Sequence, residues 1–252
     1  MTRSEREQKA YDEDGVYEVS NSWQRRFIHV FRSPNTLAHE AKFRERIFQA
    51  AKGKRVLDLG CGYGQLSNEM HEAGAAYVLG IDVAESFLAK ANETYGKPGV
   101  VEFKVVDADQ PLEGKFDLIV GASVLHHIDY RTTLRRLYDE NLSSGGLLAF
   151  DEPLGGNLLI RAYTALIPRA HTPDERSFMK SDLKWLRQNF PKVTITPYNF
   201  FTLPVGIVTS KLMKSPDNML LRAAHSCDLF VARTMRFLES HFRRCSIEIA
   251  RP

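Results

Sequence analysis

Residues Arg55 to Gln65 read R-V-L-D-L-G-C-G-Y-G-Q, and this stretch decides the fold. Val56, Leu57 and Leu59 make the short apolar run that a buried parallel strand requires. Gly60, Gly62 and Gly64 follow at once, so the backbone can turn tightly and approach a bound nucleotide, with the start of the next helix facing the ligand. A dinucleotide fingerprint, G-x-G-x-x-G counted from Gly60, requires glycine where this chain has Gln65. A nucleotide-type cofactor other than a dinucleotide fits better.

Three further signals follow in order. Tyr77 to Asp82 (Y-V-L-G-I-D) is a second apolar strand closing on an acid 22 residues beyond Gly60, where a Rossmann-like unit puts the carboxylate that accepts the ribose hydroxyls. Val101 to Asp107 is a third strand, ending in Asp107-Ala108, and Phe116 to His127 is a fourth strand with the entry to the next helix. Helical spacing is found over Gln65–Ala73, Ala84–Thr94 and Arg131–Asn141, and a turn at Ser143–Gly146 leads into a fifth strand, L-L-A-F-D-E-P. Strands alternating with helices predict a doubly wound parallel sheet with ligands at the strands' carboxyl ends.

With these signals around it, D-L-G-C-G-Y-G (Asp58 to Gly64) resembles motif I of the class I S-adenosylmethionine-dependent methyltransferases, and the resemblance extends over Arg55 to Glu152. It implies a Rossmann-like seven-stranded sheet with the last strand antiparallel, and S-adenosylmethionine as cofactor. Asp58 would orient the loop and contact the cofactor's amino group. Gly60, Cys61, Gly62 and Gly64 supply the loop, with Cys61 a small spacer rather than a nucleophile. Asp82 and Val83 fall at the ribose, Asp107 and Ala108 at the adenine, and Ser123 after the fourth strand completes the cofactor set. A purely structural account is open as well, since Asp58 can satisfy loop N–H groups and Asp82 can cap its helix.

The chain divides into a helical cap or lid (1–50), the cofactor-binding core (51–153), and the rest of the sheet with its insertions (154–252). The cap reads as an amphipathic helical pair, whose Tyr11 and Tyr17 are the aromatic residues expected to reach the sulfonium or the acceptor. In the last part, Thr172 and Glu175 form a capping box with Pro173 at the first helical position, predicting a short helix. Leu158, Leu159, Tyr163, Leu166 and Ile167 read as core or as an acceptor pocket beside Glu152 and Asn157. Arg161, Arg169, His171 and Arg176 are candidate contacts for an anionic acceptor. A helix over Ser181–Asn189, a sixth strand over Lys192–Phe201 and a final strand over Cys245–Ala250 complete the sheet. Thr202 to Arg244 is long for a connection between the last two strands, and its apolar pieces predict one or two helices forming a cover, a homodimer surface or a substrate channel. Its arginines suit weak contact with anionic lipid.

Composition narrows the function. The 252 residues are 43% hydrophobic, enough for a sizeable core, and 34 basic against 31 acidic residues give a net charge of only +3. Such a balance supplies no field for nucleic acid. Cys61, Cys227 and Cys245 are far apart with no C-x-x-C, which suits a reduced cytoplasm and predicts no metal site. The charged N-terminus lacks a signal peptide's apolar core, and no run approaches a membrane span, so stable membrane insertion is not expected.

Methyl transfer requires an acceptor aligned with the methyl group and, where necessary, a group to remove a proton. His126 and His127 directly follow the fourth strand and are the candidate bases. In the phosphoethanolamine methyltransferases a histidine at the matching place pairs with an N-terminal tyrosine, which points to His126 and Tyr11. The expected activity is methyl transfer to a small-molecule acceptor, a secondary metabolite being the preferred class. The alternatives are an enzyme that cyclises or cleaves S-adenosylmethionine itself, and a binding protein without turnover.

Overall fold

The computed structural model describes residues 1–13, 16–166, 172 and 174–252. Four helices precede the sheet instead of the expected pair: α1 (Arg3–Asp12), α2 (Val16–Arg26), α3 (Ile28–Phe31) and α4 (Pro34–Ala51). Local signals set their starts. Thr2 and Glu5 close a capping box on α1, and the Ser33 hydroxyl accepts the Thr36 N–H at the head of α4, with Pro34 in the first turn.

Then come β1 (Arg55–Leu59), α5 (Gln65–Glu72), β2 (Tyr77–Asp82), α6 (Glu85–Tyr95), β3 (Val101–Val105) and β4 (Phe116–Ala122). A 3-10 turn at Leu125–His127 leads to α7 (Tyr130–Arg136), β5 (Leu142–Pro153), α8 (Leu158–Leu166) and α9 (Lys180–Asn189). The chain ends with β6 (Val193–Tyr198), α10 (Thr202–Leu212), α11 (Met219–Thr234) and β7 (Arg244–Ala250). The seven strands are ordered β3-β2-β1-β4-β5-β7-β6, and only β7 runs antiparallel to its neighbours. Strand order reverses between β1 and β4, which is where an open α/β sheet binds its ligand.

Alternation along β1 builds a core on each face of the sheet. Val56 joins Ile47, Met70, Val78 and Leu118 under α4 and α5, while Leu57 and Leu59 join Ile119, Phe150, Leu183 and Phe242 on the other side. All of these are essentially inaccessible to water.

Two local expectations change. Ser143–Gly146 lies within β5 rather than in a turn before it: pairing with β4 jumps from Phe116↔Leu142 to Leu118↔Leu147, so the extra β5 residues form an irregularity containing Gly145 at φ +73°. Among the described residues no helix starts at the Thr172–Glu175 box: Asp174 lies in a turn and residues 175–177 are irregular. Thr172 donates its hydroxyl to Glu7 of the cap at 2.5 Å, and the Glu175 N–H donates at 3.3 Å to the Thr172 carbonyl rather than to its side chain.

The late insertion forms two helices, as its apolar pieces predict. Leu221, Ala224, Asp228 and Val231 of α11 face inward, and the Asp228 carboxylate accepts the Phe201 N–H and an Asn35 amide N–H, tying α11 to α10 and α4. Leu212, Met219 and Phe230 are instead exposed to water. Among the described residues no helix is long and apolar enough to cross a membrane.

Candidate cofactor and acceptor site

The glycine loop owes its shape to its backbone conformations. Gly60, Gly62 and Gly64 have φ of +66°, +52° and +76°. A Cβ on Gly60 would lie 2.6 Å from Val124 Cγ2, and one on Gly64 would lie 2.5 Å from Phe103 Cζ, so two of the three positions also have no room for a side chain. The loop hangs from β2, because the N–H groups of Gly60 and Cys61 both donate to the Ile81 carbonyl, and it delivers the chain into α5.

Asp82 secures the loop from the side. Its Oδ2 accepts the Gly62 N–H at 2.9 Å and its Oδ1 accepts the Ala84 N–H at 3.0 Å. Burial raises its pKa, and these N–H groups oppose that shift. Asp58 lies behind the loop: its carboxylate is buried, accepts the Ser67 hydroxyl at 2.6 Å, and is pushed by burial to a pKa of about 7.

A cavity of about 300 Å³ opens over the loop, within the range of small-molecule sites. Ten of the fourteen residues singled out in the sequence line it: Tyr11, Tyr17, Gly60, Gly62, Asp82, Val83, Asp107, Ala108, Ser123 and His127. Cys61, Gly64, Asp58 and His126 are not among its lining residues. Burial raises the Cys61 thiol's pKa, consistent with an inert spacer. Asp107 Oδ1 accepts the Asp109 N–H at 2.9 Å, shaping the far rim. Ser123 is held at φ +57° with its N–H on the Asp151 carbonyl, and its hydroxyl accepts from Arg244. Backbone strain of this kind gathers at functional sites.

The cap closes the cavity. Arg3, Glu7 and Tyr11 are spaced by four on α1, so one stripe of the helix lines the pocket. Tyr11, Tyr17 and Tyr63 pack edge-on or tilted around Phe87 of α6, with ring centroids 4.3 to 6.0 Å apart. Arg6 reaches both Asp174 oxygens at 2.6 and 2.8 Å, tying α1 to the segment after α8. Sequence reading missed Arg3, Glu7 and Phe87, although the four-residue spacing of Arg3 and Glu7 to Tyr11 was visible.

The two histidines divide. His126 is buried with Nδ1 2.7 Å from Glu152 Oε2, while the other Glu152 oxygen accepts the Val124 and Leu125 N–H groups at 3.0 and 2.9 Å. Burial, reinforced by the charge of His127, lowers the His126 pKa despite that carboxylate. Tyr11 pairs with His127 rather than His126: its hydroxyl is 3.3 Å from His127 Nε2, because the 3-10 turn directs the second ring into the pocket. On its other side His127 Nδ1 lies 3.1 Å from Glu7 Oε2 and 3.3 Å from the Thr172 hydroxyl. Burial pulls the His127 pKa down, but the Glu7 contact and the Glu175 and Glu152 charges outweigh it, and the net shift is upward. Burial and Glu7 raise the Tyr11 pKa, keeping the phenol protonated.

The residues considered for the acceptor are spread out. Leu158 and Leu159 are exposed on α8, and Arg161 is exposed beside them. Asn157 donates to the His241 carbonyl, and Arg176 pairs with Asp182. Ile167, Arg169, His171 and Pro173 lie outside the described residues, as do the side chains of Tyr163 and Leu166.

Residues 57–148 match the sequence profile of a methyltransferase domain. The chain is 37% identical over 98 residues to the ubiquinone biosynthesis O-methyltransferase of Pseudomonas aeruginosa, a match covering 37% of this chain and 42% of that one. It spans about two-fifths to just over half the length of the curated relatives it matches. The fold is similar to Haemonchus contortus phosphoethanolamine N-methyltransferase 2 bound to phosphomonomethylethanolamine and S-adenosylhomocysteine, with a TM-score of 0.65 at 16% identity over all of this chain and 60% of that one. It is also similar to magnesium protoporphyrin IX methyltransferase of Synechocystis with bound S-adenosylhomocysteine, with a TM-score of 0.57 at 16% identity over the whole of both chains. The glycine loop, the carboxylate at the end of β2 and this strand order thus lie in or around residues 57–148, which match a methyltransferase domain, within a fold similar to those of solved methyltransferases.

Proposed function

We propose that this protein transfers the methyl group of S-adenosylmethionine to a small-molecule acceptor and releases S-adenosylhomocysteine. The observation that carries the reading is that one cavity is lined by the glycine loop, Asp82 and Asp107 and also by the paired Tyr11 and His127. Asp82 and Val83 hold the ribose, Asp107 and Ala108 the adenine, and Gly60 and Gly62 the methionine portion. Tyr17 covers the cofactor, and Ser123 stands beside the methyl group.

His127 and Tyr11 present polar atoms to the acceptor, and the Glu7 carboxylate orients the His127 ring. His126 is a positioning residue, held by Glu152 so that the next ring reaches the pocket. The curated O-methyltransferase relatives and the aromatic residues Tyr11, Tyr17 and Phe87 lining the cavity support a secondary-metabolite or quinone-like aromatic acceptor. The near-neutral charge supports a partner other than nucleic acid, and the exposed Leu212, Met219 and Phe230 support a homodimer. A cytoplasmic location fits the cysteine usage.

The test is incubation with methyl-labelled S-adenosylmethionine and metabolite pools, followed by mass spectrometry. Label transferred to a small molecule, with stoichiometric S-adenosylhomocysteine, is the expected result. Enzymatic methylthioadenosine without an acceptor would replace this reading with chemistry on the cofactor itself. Binding without either product would reduce the protein to a sensor.

A further inference from the structure

Below the polar end of the pocket, more ionisable side chains meet than methyl transfer requires. His126 turns Nδ1 toward Glu152 at 2.7 Å, which leaves Nε2 facing Glu175 Oε1 at 3.8 Å. His127 is backed by Glu7, with Nδ1 3.1 Å from Oε2. One ring nitrogen of each histidine and one Glu175 oxygen lie within 4.8 Å of one another. Metal-bound histidines characteristically carry a carboxylate on the nitrogen that does not bind, which fixes the ring and raises its basicity.

We propose that His126 Nε2, one ring nitrogen of His127 and the Glu175 carboxylate bind a divalent transition-metal cation of the Zn2+ type.

The distances allow it. Even with all three separations at 4.8 Å, the centre of the triangle is about 2.8 Å from each ligand atom, so shifts of about 0.7 Å give bonds of about 2.1 Å. Three protein ligands leave a fourth position open, the arrangement of catalytic rather than structural zinc. The Tyr11 hydroxyl, 3.3 Å from His127 Nε2, stands beside it.

The use of the cation rests on the methyltransferase reading, whereas its binding does not. At the open position it would hold an acceptor hydroxyl or thiol and lower its pKa. The proton passes to solvent, the oxygen or sulfur lone pair attacks the methyl carbon, and the breaking C–S bond leaves its electron pair on the cofactor sulfur. The acceptor class narrows accordingly to hydroxyl- or thiol-bearing molecules.

The experiment uses tag-free, EDTA-stripped full-length protein, titrated with Zn2+ by calorimetry and with Co2+ by visible absorption, with no cofactor or acceptor present. One equivalent should bind, and Co2+ should give the intense bands of a low-coordinate N/O site. Glu175→Gln should weaken binding at least tenfold, and Glu152→Gln by about 10–100-fold through the His126 ring. His225→Ala, away from the site, should change nothing. The proposal is overturned by the absence of stoichiometric uptake, or by a site that survives both Glu175→Gln and His126→Gln unchanged. S-adenosylmethionine titrated into the same stripped protein reads the methyltransferase proposal separately: Zn2+ binding without cofactor binding would sink that reading and leave the metal site standing.

Discussion

Replacing Asp82 with asparagine separates two roles that a single carboxylate fills. In the structure its two oxygens accept one N–H each, from Gly62 and Ala84. Asparagine keeps one acceptor oxygen and offers an NH2 group in place of the other, so one backbone N–H loses its partner. At about 2 kcal/mol for a part-buried orphaned donor, and about 3 °C per kcal/mol for a domain of this size, Asp82→Asn should lower Tm by about 6 °C. If the same carboxylate also accepts the ribose hydroxyls, the variant loses a charge-assisted hydrogen bond of about 1.5–3 kcal/mol in the complex, or about 10–150-fold in affinity. Differential scanning fluorimetry reads the first effect, and calorimetric titration with S-adenosylhomocysteine, at a temperature where the variant is folded, reads the second. A lower Tm with unchanged cofactor affinity would show that Asp82 only fastens the loop. Unchanged Tm and affinity together would refute the geometry of the loop itself.

His127→Asn should lower kcat by about 10²–10⁴-fold while cofactor affinity stays within threefold, and Tyr11→Phe should cost less; single-turnover assays separate chemistry from binding. The raised His127 pKa makes a signed prediction: a histidine that binds its proton more tightly in the folded state contributes stability below its unfolded value near 6.5, and this contribution is lost as pH rises through the folded value. Tm of the EDTA-stripped protein, measured at steps from mildly acid to mildly alkaline pH, should therefore fall more for wild type than for His127→Gln across that window, and parallel curves would contradict the Glu7 contact. Gly64→Ala places a methyl against the buried Phe103 ring at a φ of +76° and should destabilise by about 2–4 kcal/mol, measurable by urea denaturation; Gly53→Ala, at φ +68° but with open space around it, should cost only the backbone part, about 1–2 kcal/mol.

The cofactor half was legible because its signals are local. An apolar strand, a glycine loop that needs positive φ and an acid closing the next strand depend on residues within about thirty positions, and Gly60, Asp82 and Val83 line one cavity. The acceptor end was less legible because its partners are far apart in sequence. Glu7 meets Thr172 across 165 residues, Tyr11 meets His127 across 116, and nothing local in A-Y-D-E-D or L-H-H-I tells which ring faces the pocket. Thr172 shows the limit of a local rule: its side chain enters a tertiary contact with Glu7, and the Glu175 N–H goes to the Thr172 carbonyl instead of the hydroxyl. The sequence by itself determined the sheet, the cofactor loop and its acids, since backbone conformation and burial pattern are properties of short segments. Only the tertiary structure decided that His127 rather than His126 meets Tyr11, and that two histidines and three glutamates share one enclosed space, because side-chain direction there is set by packing between elements that the chain brings together last.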